Sequence, residues 1–150
     1  MGADAKTETA LNGLKVLDLS RILAGPSATQ ILGDLGADVV KIEHPDGGDD
    51  TRGWGPPFMQ SPEGDRIEAS YFACCNRNKR SVALDFNNNE DRDTLLKLAS
   101  QADILVENFK PGSLAKFGLN FESLQKINIS LIYCSVTGFG QTGPYSHKPG

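Results

Sequence analysis

Leu14-Lys15-Val16-Leu17-Asp18-Leu19, then Ala24-Gly25-Pro26-Ser27-Ala28-Thr29-Gln30-Ile31-Leu32-Gly33-Asp34-Leu35-Gly36, then Val39-Val40-Lys41-Ile42-Glu43 is the stretch whose reading decides the fold. The first run is short and mostly aliphatic, as a strand buried on both faces must be. Pro26 predicts a helix start, because the first helical amide is unpaired anyway and the fixed φ of proline suits a helix. Gly36 closes that helix, since glycine takes a left-handed C-cap at low cost. A second strand over 39–43 is halted by Pro45. Two strands joined by one helix within about 30 residues form a β-α-β unit, with parallel strands and a right-handed crossover. Ligands of such sheets sit beyond the carboxyl ends of the strands, which directs attention to residues 20–26 and 44–52.

Working outward, strand and helix keep alternating. Residues 46–64 are rich in Gly, Pro and Asp and predict a long functional or flexible loop. The segment 69–75 fits a short helix or an extended piece equally well. A third strand is expected over 80–86, then a helix over 90–100 capped by Asn89, with Leu95, Leu96, Leu98 and Ala99 on its apolar side. A fourth strand over 103–107, short helical turns over 113–117 and 121–127, and a fifth strand over 131–136 complete the pattern. Five β units with helices between them predict an α/β fold, a Rossmann-like doubly wound, mostly parallel sheet. Residues 1–10 read as a flexible tail and 11–150 as one domain. The glycine-rich run 137–144 leaves a strand and normally leads into more structure, so the expectation is the N-terminal part of a longer protein.

The chain of 150 residues has 39% hydrophobic and 23% charged residues, globular values, and a net charge of −4 that argues against nucleic acid as the main partner. Its apolar runs fall short of the ~20 residues of a membrane span. Asp4, Glu8 and the lack of arginine in the first ten residues do not suit a targeting leader, so a cytoplasmic location is expected, with mitochondria as the alternative. Cys74 and Cys75 are neighbours that would point to opposite sides of an extended chain, which does not suggest a disulfide framework.

Several clusters carry chemistry or mere architecture. The amides of Ser27, Ala28 and Thr29 at the helix start suit an anion, though neither the G-x-G-x-x-G fingerprint nor a P-loop is present. Asn76-Arg77-Asn78-Lys79-Arg80 has the cation density of a polyphosphate site, or of a solvated basic turn. Glu107-Asn108-Phe109-Lys110-Pro111-Gly112 sits at the end of the fourth strand, where an amide, an aromatic ring and a cation could hold a nucleotide. His44 and His147 lack Cys or carboxylate neighbours at ligand spacing, so no metal is expected. The three cysteines read as inert core thiols, and no Ser/His/Asp set is legible.

Taken together, Leu14-Lys15-Val16-Leu17-Asp18, Ala24-Gly25-Pro26, the run from Leu32 through Glu43, Gly48-Asp49-Asp50-Thr51-Arg52, Asn76-Arg77-Asn78-Lys79-Arg80-Ser81 and Val106-Glu107-Asn108-Phe109-Lys110-Pro111-Gly112 resemble the N-terminal region of the family III CoA-transferases. That family includes formyl-CoA transferase and the carnitine and succinyl-CoA:glutarate CoA-transferases. The resemblance implies the large domain of an interlocked-ring homodimer that moves coenzyme A from an acyl-CoA donor to a free carboxylic acid. It also implies that Leu23 and Ala24 border the thioester end of CoA. His44, Leu84, Asp85, Phe86, Asn87, Asn108, Phe109, Lys116 and Lys148 match positions that hold its nucleotide and pantetheine parts. His44 and Lys116 stand where formyl-CoA transferase has arginines, and Asn87 where it has lysine. No catalytic residue is assigned within the chain, because the nucleophilic aspartate of the family belongs to a Gly-Asp segment expected beyond Gly150. The fragment alone is therefore expected to be inactive. An α-methylacyl-CoA racemase and a non-catalytic CoA-binding module are the alternatives.

Overall fold

The structure, a computed structural model, describes residues 9–148. The expected tail, 1–10, lies mostly outside the described residues. Five parallel strands form the main sheet: β1 (Lys15–Asp18), β2 (Asp38–Glu43), β5 (Lys79–Ala83), β6 (Ile104–Glu107) and β7 (Ile132–Ser135). Their spatial order is β5-β2-β1-β6-β7, so the chain grows outward from β1 to one edge and then crosses to the other. That reversal creates the switch point at which doubly wound sheets bind ligands.

Alternation along the strands builds two cores. Val16, Val39 and Val106 face helix α1 (Ala24–Asp34), while Leu17, Leu19, Ile42 and Leu105 face α3 (Asn89–Gln101) and α4 (Phe121–Leu124). Leu95, Leu105, Leu119 and Leu124 are fully buried, each stabilising the fold by roughly 1.5–3 kcal/mol. Asp18 shares the α1 side with Val16, two residues before it, and is likewise fully buried.

Helix α1 begins two residues before the expected Pro26. Its N-cap is Leu23, whose carbonyl accepts from the Ser27 amide at 2.8 Å. Pro26 is thus the third helical residue, a position whose amide has no intrahelical partner in any case. The Ser27 amide is consumed by the helix itself, so the expected anion site at Ser27, Ala28 and Thr29 is not formed as supposed. Gly25 allows the close seat on β1: a Cβ there would fall 2.3 Å from the Cβ of Ser20. The helix ends in a Schellman turn, with Gly36 at φ +100°, its amide on Gly33 and the Ala37 amide on Leu32.

The expected loop over 46–64 is more ordered than its composition suggests. It holds a 3-10 turn, Asp50–Gly53, and strand β3 (Phe58–Gln60), which pairs antiparallel with β4 (Arg66–Ala69). The segment 69–75 resolves into the short helix α2 (Ser70–Ala73). Arg52 ties these pieces together, bonded to Glu43 and Glu68 with its guanidinium 3.6 Å from the Phe72 ring centroid.

Candidate functional site

The carboxyl ends of β1, β2, β5 and β6 open onto a groove of about 310 Å³. His44, Leu84, Asp85, Phe86, Asn87 and Phe109 all line it. Residues 84–87 continue from β5, and His44 follows β2 by one residue, so parallel pairing itself delivers them to one edge. Phe86 packs against Phe109 and Phe117, with ring centroids 5.9 and 5.7 Å apart, and the three rings make an apolar wall.

Charge in this groove is largely committed. Arg21 pairs with Asp50, and Lys41 lies 2.9 Å from Asp49 with both side chains shut off from solvent. The His44 Nε2 stands 3.9 Å from Asp85 Oδ1, half exposed and facing the opening. The backbone amide of Asn87 is the main influence holding the Asp85 carboxyl below its usual value, and His44 adds to it. Burial pushes the Asp49 carboxyl up, but the Thr51 amide and the Lys41 ammonium outweigh it and leave the carboxyl below its usual value. Glu43 behaves in the same way, with Arg52 and Ser81 opposing the effect of burial.

The other expected site residues stand apart from the groove. Asn108 borders an adjoining shallow hollow that shares Arg21, Asp50 and Phe109 with it. Its side chain is spent on protein: Oδ1 accepts from the Arg21 amide at 2.8 Å and Nδ2 donates to the Arg21 carbonyl at 2.8 Å. Leu23 and Ala24 are the N-cap and first residue of α1, outside the groove lining. Lys116 is exposed over the Phe117 ring at 4.6 Å, one residue from the groove wall. Lys148 is exposed over Tyr145 at 4.2 Å, away from that wall.

The basic run 77–80 does not gather into a polyphosphate site. Arg77 pairs with Asp34, Lys79 with Asp18 and Arg80 with Asp38, so each cation is drawn to a different carboxylate. Arg21, Asp46, Asp49 and Asp50 also line the groove; all four fall in the ranges 20–26 and 44–52 that the strand ends point to, but none is among the expected site residues. The available signal was the Gly48-Asp49-Asp50-Thr51-Arg52 motif, which follows β2 on the ligand side of the sheet. Cys74 and Cys75 do not point apart as an extended chain would have them. At the end of α2 both thiols approach the Tyr71 carbonyl, at 3.1 and 3.5 Å. Cys74 is exposed and Cys75 buried, so only the latter fits a core thiol.

A family model described as CoA-transferase family III matches residues 11–150. The chain is 52% identical over 140 residues to a succinate–glutarate CoA-transferase of Agrobacterium fabrum, covering 93% of this chain and 35% of that protein. It is 47% identical over 148 residues to the succinyl-CoA:glutarate CoA-transferase of Mus musculus, covering 99% and 33%. The crystal structure of a CAIB/BAIF family protein from Brucella suis superposes with a TM-score of 0.89 at 57% identity, covering 95% of this chain and 37% of that one. The chain thus spans about a third of the length of these relatives.

Proposed function

This chain belongs to CoA-transferase family III, and from that premise we propose that the full-length protein moves coenzyme A from an acyl-CoA donor such as succinyl-CoA to a free carboxylic acid. The groove at the strand ends takes the CoA moiety. The observation that carries this reading is the convergence of His44, Leu84, Asp85, Phe86, Asn87 and Phe109 on one opening. Phe86 and Phe109 offer an apolar surface for the adenine ring or the pantetheine arm, and the exposed His44 imidazole and Lys116 ammonium are side chains that can donate to phosphate. Asn108 serves the same site indirectly, through the backbone it holds.

The reaction runs on an aspartate carried downstream of these residues. Its carboxylate attacks the donor thioester, expelling CoA thiolate and leaving a mixed anhydride. The thiolate then attacks the aspartyl carbonyl, releasing the free acid and forming an aspartyl-CoA thioester. The acceptor carboxylate repeats the two steps in reverse order and leaves as the new acyl-CoA. A 150-residue piece without that aspartate binds but does not turn over, and the complete protein works as a homodimer.

The test mixes full-length protein with succinyl-CoA and a panel of dicarboxylates, glutarate among them, and analyses the CoA esters by mass spectrometry. A new acyl-CoA ester supports the reading. If no acid accepts CoA while a chiral 2-methylacyl-CoA loses optical purity, the protein is a racemase instead. CoA binding with neither reaction marks a non-catalytic module.

A further inference from the structure

The turn that leaves β1 is built in an unusual way. All six backbone N–H and C=O groups of Ser20, Arg21 and Ile22 are bonded to side chains. The Ser20 amide donates to Asp18 at 2.9 Å, and its carbonyl accepts from Lys41 Nζ at 2.7 Å. The Arg21 amide and carbonyl are both taken by Asn108, at 2.8 Å each. The Ile22 amide donates to the two oxygens of Asp49 at 3.3 and 3.2 Å, and its carbonyl accepts from the Cys75 thiol at 3.6 Å. Backbone groups are usually paired with other backbone, so a turn held by five side chains, Asp18 beside it and four from elsewhere in the chain, is over-determined.

What it holds is strained. Ile22 has φ +68°, a left-handed conformation that costs a β-branched residue far more than it costs glycine. Such outliers persist where surrounding structure enforces them, and they concentrate at functional sites. Asp49 is the side chain that accepts from the amide of this residue. It is buried, neutralised by Lys41, and fixed by the Thr51 amide at 3.0 Å and hydroxyl at 2.8 Å. The next residues in the chain are Leu23 and Ala24.

We propose that Asp49 is a positioning residue for acyl transfer: by holding Ile22 left-handed it fixes where Leu23 and Ala24 stand, the two residues that the family resemblance sets against the acyl-thioester end of CoA. This rests on the CoA-transferase reading above. Although Asp49 belongs to the groove wall, its carboxylate is 0% exposed behind the Lys41 ammonium and does not reach the CoA itself. Its loss misplaces the reacting end while leaving the nucleotide end bound, and a displacement of about 1 Å costs on the order of 10²-fold in rate.

The test compares wild type, Asp49→Asn, Ile22→Gly and the double variant, all in the full-length protein. Glycine adopts positive φ freely, so it removes the need for enforcement. Asp49→Asn is expected to lower kcat about 10²-fold with CoA affinity by calorimetry changed less than about threefold. Adding Ile22→Gly is expected to recover at least tenfold of that loss, a rescue that damage to the buried Lys41 pair alone would not permit. Amide hydrogen exchange over 21–24 should rise in Asp49→Asn and fall again in the double variant. Should Asp49→Asn fail to fold, Thr51→Val, which removes the hydroxyl that fixes Asp49 and leaves no buried charge unpaired, is expected to lower kcat by a smaller factor with the same sparing of CoA affinity. Loss of CoA affinity in step with kcat, or additive effects of the two substitutions on both rate and exchange, overturns the proposal. A wild-type protein that transfers CoA to no acid removes the functional reading, while the exchange comparison still decides whether Asp49 holds the turn.

Discussion

Lys41 and Asp49 form an ion pair 2.9 Å long whose side chains are 1% and 0% exposed. The two residues come from β2 and from the loop that follows it, and between them they reach Ser20 and Ile22 in the turn that leaves the neighbouring strand β1. A buried pair of this kind adds little net stability compared with an apolar pair, because desolvation consumes most of the attraction. Its value is orientation.

Breaking one half should nevertheless be costly, since it leaves a buried charge alone. Lys41→Met is expected to destabilise the full-length protein by about 3–5 kcal/mol. Urea unfolding monitored by circular dichroism checks this, with a drop in midpoint at unchanged slope as the expected result.

Acid should loosen the same region. The Glu43 and Asp49 carboxyls are both held below their ordinary values in the fold. Their unfolded values are about 4, so the unfolded state takes up protons first as pH falls. The stability they contribute is complete above that point and is lost as pH drops through the lower, folded values. Melting temperature should therefore be flat at neutral pH and decline below about pH 4. Asp49→Asn should make that decline shallower.

The adjacent cysteines should react at different rates. Burial pushes the Cys75 thiol up to about 11, with Cys74 beside it adding to the effect, while Cys74 is exposed. The thiolate is the reactive form. Iodoacetamide at pH 8 is expected to label Cys74 well before Cys75, as peptide mass spectrometry will read.

A capping comparison tests the helix that crosses the switch point. Asn88, and not Asn89, accepts from the amides of Glu90 and Asp91, at 2.9 and 3.2 Å. Asn88→Ala should cost about 1 kcal/mol of stability, and Asn89→Ala clearly less.

The strands were legible because their signal is local. Val16, Leu17, Val39 and Ile42 sit in short aliphatic runs, and each falls in or beside a strand within a residue or two of expectation. The cap shift from Asn89 to Asn88 and the earlier start of α1 have a common cause. Three asparagines in a row, Asn87 to Asn89, offer the same cap chemistry, and Pro26 is tolerated anywhere in a first turn. Hairpin β3–β4 escaped notice because strands of three and four residues flanked by Gly and Pro carry too few positions for alternation to show. The gathering of residues at the candidate groove was legible in part. Strand ends direct His44, Leu84, Asp85, Phe86, Asn87 and Phe109 to one edge, and the family resemblance picked them out. Partners far apart in sequence were not legible. Nothing local in the basic run 77–80 signals that Lys79 turns inward to Asp18, 61 residues away, or that Asn108 spends its amide on Arg21, 87 residues away.

Titration of coenzyme A into the full-length protein by calorimetry tests the central claim, that the groove walled by Phe86 and Phe109 holds CoA. The predicted result is saturable binding of one CoA per chain, weakened at least about tenfold by Phe86→Ala or by Phe109→Ala, as loss of a buried aromatic contact of 1.4 kcal/mol or more would give. Absence of binding, or binding that both substitutions leave unchanged, would contradict it.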